Sequence, residues 1–124
     1  NYFQRGEVFK KAYLNGKTID VRSVFLQGLF FKNEMELKTK LKPLLSYLKK
    51  IKNISLDSGH SIESLALGYV KSFDFVDKIL IGVDSIDHLK RNLNQFKLNI
   101  PKNIKNKIDL IRIEEINLLN PSMW

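Results

Sequence analysis

The stretch KILIGVDSIDHLKRN, residues 78–92, is the part of the chain best suited to holding a charged ligand. The apolar run Ile79-Leu80-Ile81 ends at Gly82, and Ser85 then opens a segment with helical spacing. A strand, a glycine turn and a serine-capped helix present bare backbone N–H groups and the positive end of a helix, which is what a phosphate needs. The same residue types also make an ordinary passage from strand to helix, and the local pattern alone leaves both open. Other chemistry is scarce. The two histidines, His60 and His88, each stand beside an expected helix start, and the chain has no HExxH, GxSxG or P-loop motif. Asp84 and Asp87 near His88 raise the question of a metal cluster, but spacing across a helix start fits capping and solvation better. Glu114 and Glu115 are adjacent, so on a helix they point apart, which is poor geometry for an acid–base pair.

Bulk properties narrow the classes. With 124 residues, 44 % hydrophobic and 27 % charged, the chain is expected to form one globular domain with a core. It has no cysteine, which removes disulfides and thiolate metal sites and fits a reducing, cytoplasmic location. No apolar run approaches the roughly 18 residues of a membrane span, so no membrane partner is expected. The formal net charge of +8 invites a nucleic-acid reading. Its lysines, however, cluster in KTKLKPLLSYLKKIK (38–52) opposite a leucine face and in PKNIKNK (101–107), without an arginine-rich tract or an aromatic-interleaved strand. Nucleic acid is therefore not the expected partner. The first residue is Asn1 rather than methionine, which suggests a processed chain or a fragment.

The elements that must position these residues follow from periodicity. Residues 7–15 predict a short helix ending at Gly16, and 17–25 predict a strand in which Ile19 and Val21 alternate with polar neighbours. Residues 26–34 read as a loop around Gly28. Leu44, Leu45, Leu48 and Ile51 stripe a helix that tolerates Pro43 near its first turn and breaks at LDSGHS, 56–61. Ser61 caps a further helix whose face is Ile62, Leu65, Ala66, Tyr69 and Val70. Residues 72–77 connect it to the strand Ile79–Ile81, expected to be buried on both faces. Ile86, Leu89, Leu93 and Phe96 stripe the next helix, and a last helix is expected over 110–118. Two strands are too few for a stable sheet, so the remaining strands should come from an oligomer or from a larger α/β protein.

The segments VRSVFLQGLFF (21–31), SIESLALGYVKSFDFVDKILIGVDSIDHLKRNL (61–93) and the closing NPSMW, in this order and spacing, resemble the C-terminal half of an aldo/keto reductase; NYFQR at the start resembles the segment after that family's sixth strand. The resemblance covers nearly the whole chain. It implies an α/β fold, the C-terminal part of a (β/α)₈ TIM barrel, incomplete in this chain, with 1–124 as a single-domain portion. Strand seven would be 18–23 and strand eight 78–82, with the leucine helix 43–54 as an extension before helix 62–71. The resemblance implies an NAD(P)H-dependent oxidoreductase reducing aldehydes or ketones, and loops after the last two strands of such barrels commonly bind phosphate, which would put the dinucleotide at 23–27 and 82–92.

Carried over by residue, the resemblance puts Ser23, Phe25 and Gln27 along the pyrophosphate and nearby ribose. Arg22 falls where many members set an aromatic ring against the nicotinamide, so its guanidinium would stack there. Gly82 and Val83 fall where NADPH-preferring members hold the 2′-phosphate, Ser85 at the helix cap, His88 in place of a frequent arginine, Arg91 in place of a common glutamate, and Asn92 near the adenine. An acidic Asp84 and apolar Val83 weaken a 2′-phosphate site while His88 and Arg91 restore charge, a balance that favours NADP(H) over NAD(H) by a small margin. The family's Asp, Tyr, Lys and His tetrad would lie upstream of Asn1. Tyr2, Tyr13, Tyr47 and Tyr69 do not inherit the proton-donor role, and the chain alone is expected to be inactive. Residues 26–40 and 119–124 would border the pocket for a small carbonyl substrate, with Trp124 either an apolar wall or a mobile terminus. Two other readings stand beside this one: a non-catalytic nucleotide-binding or regulatory subunit, and self-association that buries open strand edges at 18–23 and 78–82.

Overall fold

The computed structural model describes residues 2–124, with side chains from Gly6 onward. Asn1 and the side chains of residues 2–5, including the NYFQR expectation and Tyr2, lie outside the described residues. Helix α1, Tyr2–Leu14, ends as expected at Gly16, whose φ of +64° is the left-handed turn that glycine adopts without penalty. Strand β1, Asp20–Arg22, follows. The apolar stretch read as a loop forms two short 3₁₀ turns kinked at Gln27 and Gly28 over Leu26–Phe31, and a further 3₁₀ turn, Thr39–Leu44, contains Pro43 and leads into α2, Leu45–Ser58. Helix α2 runs on past Leu56 and stops at Gly59, φ +69°.

Ser61 caps α3, Ile62–Lys71, through its hydroxyl, which accepts the Ser64 N–H at 3.1 Å. The same hydroxyl donates to Gln95 Oε1 at 2.9 Å and so ties α3 to α4, Ile86–Lys97. Ser61→Ala removes both bonds and is expected to lower stability by about 1–2 kcal/mol, read from the urea midpoint. A final helix, α5, covers Lys102–Asp109.

The (β/α)₈ expectation is overturned. The chain is 61 % helical, and the described residues hold only two strands, β1 and β2 (Lys78–Leu80), which pair in parallel with Asp20 opposite Lys78, Val21 opposite Ile79 and Arg22 opposite Leu80. Each strand is three residues long, and in each only the central residue is partly buried. Leu80 is 51 % exposed, so the continuous apolar run does not mark burial on both faces. What holds the pair is local: Asp77 accepts the Ile19 N–H on Oδ2 at 2.7 Å and returns its own N–H to the Ile19 carbonyl at 3.0 Å.

The core is built by the helices and 3₁₀ turns. Leu29, Leu37, Leu41, Leu44 and Leu48 form one buried cluster, closed by Leu26, Phe30, Tyr47, Ile113, Leu118 and Trp124. Ile54, Leu65 and Ile104 form a second, with Ile100, Ile108 and Ile111 against it. Helix α3 packs against both α2 and α4, so its buried residues are Ser64, Leu65, Leu67 and Gly68 rather than a single apolar stripe. The expected stripe on α4 is also corrected: Ile86, Leu89, Leu93 and Phe96 are all exposed, and the buried residue is Asn92. The helix expected over 110–118 lies earlier, at Lys102–Asp109, where Pro101 at the N-cap opens it and Ile104 anchors it; only Ile116–Leu119 forms a 3₁₀ turn further on. No helix among the described residues is long and apolar enough to cross a membrane.

Candidate functional site

Leaving β1, the backbone enters the left-handed region at three non-glycine residues, Ser23 (φ +60°), Leu26 (φ +45°) and Gln27 (φ +52°), before Gly28 (φ +79°). Such conformations cost on the order of 1 kcal/mol or more each and persist only where surrounding structure enforces them. Here two turn bonds do so, Leu26 N–H to the Ser23 carbonyl at 2.8 Å and Gly28 N–H to the Phe25 carbonyl at 2.9 Å. Leu29, 2 % exposed, pins the far end into the first core cluster. The segment therefore folds back beside the end of β2 and the start of α4 instead of running on as a strand.

These elements enclose an open groove of about 1070 Å³. Its volume reaches the upper end of the roughly 300–1,000 Å³ usual for small-molecule sites. Nine of the ten residues singled out in the sequence line it: Arg22, Ser23, Phe25 and Gln27 from the first stretch, and Gly82, Val83, His88, Arg91 and Asn92 from the second. The tenth, Ser85, does not. Its hydroxyl instead accepts the His88 N–H at 3.1 Å, capping α4. The groove also takes in residues that sequence reasoning did not assign to the site. Glu63 comes from the first turn of α3, Phe31 packs its ring 5.7 Å from Phe25, and Leu80 and Ile81 add apolar surface. Only tertiary packing brings in Glu63 and Phe31, whereas Leu80 and Ile81 directly precede Gly82 in the chain.

The electrostatics are mixed. Asp84 pairs with Nδ1 of His88, so the imidazole is spoken for by a carboxylate within the groove. Arg22 and Arg91 are the groove cations without an ion-pair partner among the described residues. Gly82 has ordinary backbone geometry, and a Cβ built there meets nothing within 4 Å. Its lack of a side chain leaves room above the backbone and is not required by the fold.

No tyrosine faces this groove among the described side chains. Tyr13, Tyr47 and Tyr69 all lie elsewhere. The Tyr69 hydroxyl donates to Asp109 Oδ1 at 2.8 Å, and the Tyr47 hydroxyl donates to Glu115 Oε2 at 3.3 Å. Desolvation and then the Glu115 carboxylate push the Tyr47 phenol above its ordinary value, the opposite of tuning for proton transfer near neutrality. His60 Nδ1 lies 3.2 Å from Ser64 Oγ, a serine–histidine contact, but Ser64 is fully buried and out of reach of a substrate. Among the described residues no group of three His, Cys, Asp or Glu side chains is placed to hold a metal ion. The tail does not reach the groove either: Trp124 packs on the first core cluster and donates its indole N–H to the Leu118 carbonyl at 2.9 Å. No protein-family model, curated protein or solved structure matches the chain.

Proposed function

We propose that the groove binds a nicotinamide dinucleotide, and that the chain serves as the cofactor-binding portion of an aldo/keto-reductase-like enzyme that reduces aldehydes or ketones. One observation carries this reading. The resemblance assigns residues from 22–27 and from 82–92, more than fifty positions apart, to one ligand, and all of those residues except Ser85 border one groove. The groove's chemistry suits the ligand: Arg22 and Arg91, without ion-pair partners among the described residues, offer positive charge to an anionic dinucleotide, the Phe25 and Phe31 rings face a flat heterocycle, and an open glycine allows close approach. Arg91 favours an added 2′-phosphate, while Asp84 opposes it and holds His88 in a pair of its own, which leaves NADPH ahead of NADH by a small margin. A cytoplasmic location belongs to the same proposal and rests on the absence of cysteine. Hydride transfer to a carbonyl needs a donor for the developing alkoxide, and none of the described groove residues is a tyrosine, so this chain alone binds without turning over.

Fluorescence titration with NADPH and NADH tests the proposal. Saturable binding of both, NADPH the tighter, is expected, with no carbonyl reduction by this chain. Gly82→Leu should leave the melting temperature unchanged, since nothing in the fold occupies that space, yet weaken binding by about tenfold, or roughly 1.4 kcal/mol. A folded chain that binds neither dinucleotide overturns the reading.

A further inference from the structure

We propose that the outer edge of β1 pairs with the same edge of a second copy of this chain, extending the two-stranded sheet to four strands across a two-fold axis at Val21. The direction of the backbone groups carries the inference. Ile19 turns both of its groups toward β2: its N–H donates to Asp77 Oδ2, and its carbonyl accepts the N–H of Asp77 and of Lys78 at 3.0 and 3.4 Å. Direction alternates along a strand, so Val21, opposite Ile79, repeats it, while Asp20 and Arg22 aim their N–H and carbonyl groups at the outer edge. No strand among the described residues occupies that edge, because the sheet contains β1 and β2 alone.

Rotation about a two-fold at Val21 sets Asp20 of one copy opposite Arg22 of the other, twice over. These are the residues whose backbone groups point outward, so each facing pair exchanges both backbone bonds as an antiparallel ladder requires. The side chains of those facing residues carry opposite charges. Both are exposed, and neither has an ion-pair partner among the described residues. Opposite charges directly across an antiparallel pair stabilise it and like charges oppose it. The edge is thus complementary to itself in this register. Its short length and the net charge of +8 on each copy make the dimer reversible and dependent on concentration.

Sedimentation equilibrium of the 124-residue chain tests this, with circular dichroism to verify that each variant is folded. The parent should move with rising concentration from 14.5 kDa toward twice that mass. Asp20→Arg alone and Arg22→Asp alone put like charges opposite each other and should each weaken association by roughly tenfold or more. The double exchange, D20R with R22D, restores opposite charges and should restore the dimer. A monomer at every concentration, a dimer indifferent to the single reversals, or a double exchange that fails to recover it overturns the proposal.

Discussion

Leu29→Ala should lower the unfolding free energy by about 2–5 kcal/mol, as deletion of a fully buried leucine does when its cavity cannot collapse. Leu29 is 2 % exposed and sits among Leu37, Leu41, Leu44 and Leu48. It also closes the left-handed segment that begins at Ser23, so its loss releases the enforced geometry at Ser23, Leu26 and Gln27. Dinucleotide affinity should therefore fall together with stability, although Leu29 does not line the groove. The matched control is Leu80→Ala. A leucine buried on both faces of a parallel barrel would cost a similar amount, but at 51 % exposure Leu80 should cost no more than about 1 kcal/mol. Urea unfolding of the two variants side by side checks the helical core against the barrel reading.

Gly68→Val is the second large effect. A Cβ placed at Gly68 comes within 2.7 Å of Ile100 Cγ2 and 3.4 Å of Ile100 Cγ1, so α3 approaches the segment before α5 at a distance only glycine allows. Valine adds two further methyl groups there, and the overpacking should cost about 1–3 kcal/mol. Gly68→Ala is a finer probe. It gains about 1 kcal/mol of helix propensity and sets that against displacement of Ile100. Combining it with Ile100→Ala, which removes both Cγ2 and Cγ1, should release that propensity gain. The difference between the single and double changes then reports the contact itself.

How far the sequence revealed this molecule depends on the range of the interaction. Ser61 and Ser85 were legible as caps because the bond each makes reaches only three residues along the chain, and Gly16 was legible as a helix end because its requirement is its own backbone. The strand pair was legible as strands but not as a barrel: Ile79-Leu80-Ile81 looks identical whether or not a second layer covers it, and here Leu80 faces outward. Ile86, Leu89, Leu93 and Phe96 repeat at helical spacing, yet α4 docks on α3 through the neighbouring face, where Asn92 is buried and Gln95 meets Ser61. Helix α5 was hidden by its lysines and asparagines, since its apolar hold comes from Ile104 and Ile108, and its polar hold, Asp109 on the Tyr69 hydroxyl and Lys105 over the Tyr69 and Phe73 rings, exists only once α3 is packed beside it. In the candidate site, the stretches around 22–27 and 82–92 were visible as a resemblance in order and spacing. Glu63 and Phe31 were not, because only packing of α3 and the 3₁₀ turn beside β1 brings them to the groove.

The central claim is that residues from both stretches grip one ligand, and calorimetric titration of NADPH into four chains tests it most directly: the parent, Arg22→Ala, Arg91→Ala and the double substitution. Both arginines line the groove, one from β1 and one from α4, and neither has an ion-pair partner within its own chain among the described residues; the titration is run at a concentration where the chain is monomeric, so that Arg22 faces no second copy. A single-site isotherm is expected for the parent, with each substitution weakening it by about tenfold, or roughly 1.4 kcal/mol, and the double substitution weakening it further. An isotherm that responds to only one arginine, or to neither, contradicts a site shared between the two stretches, and so does a folded parent chain that takes up no NADPH.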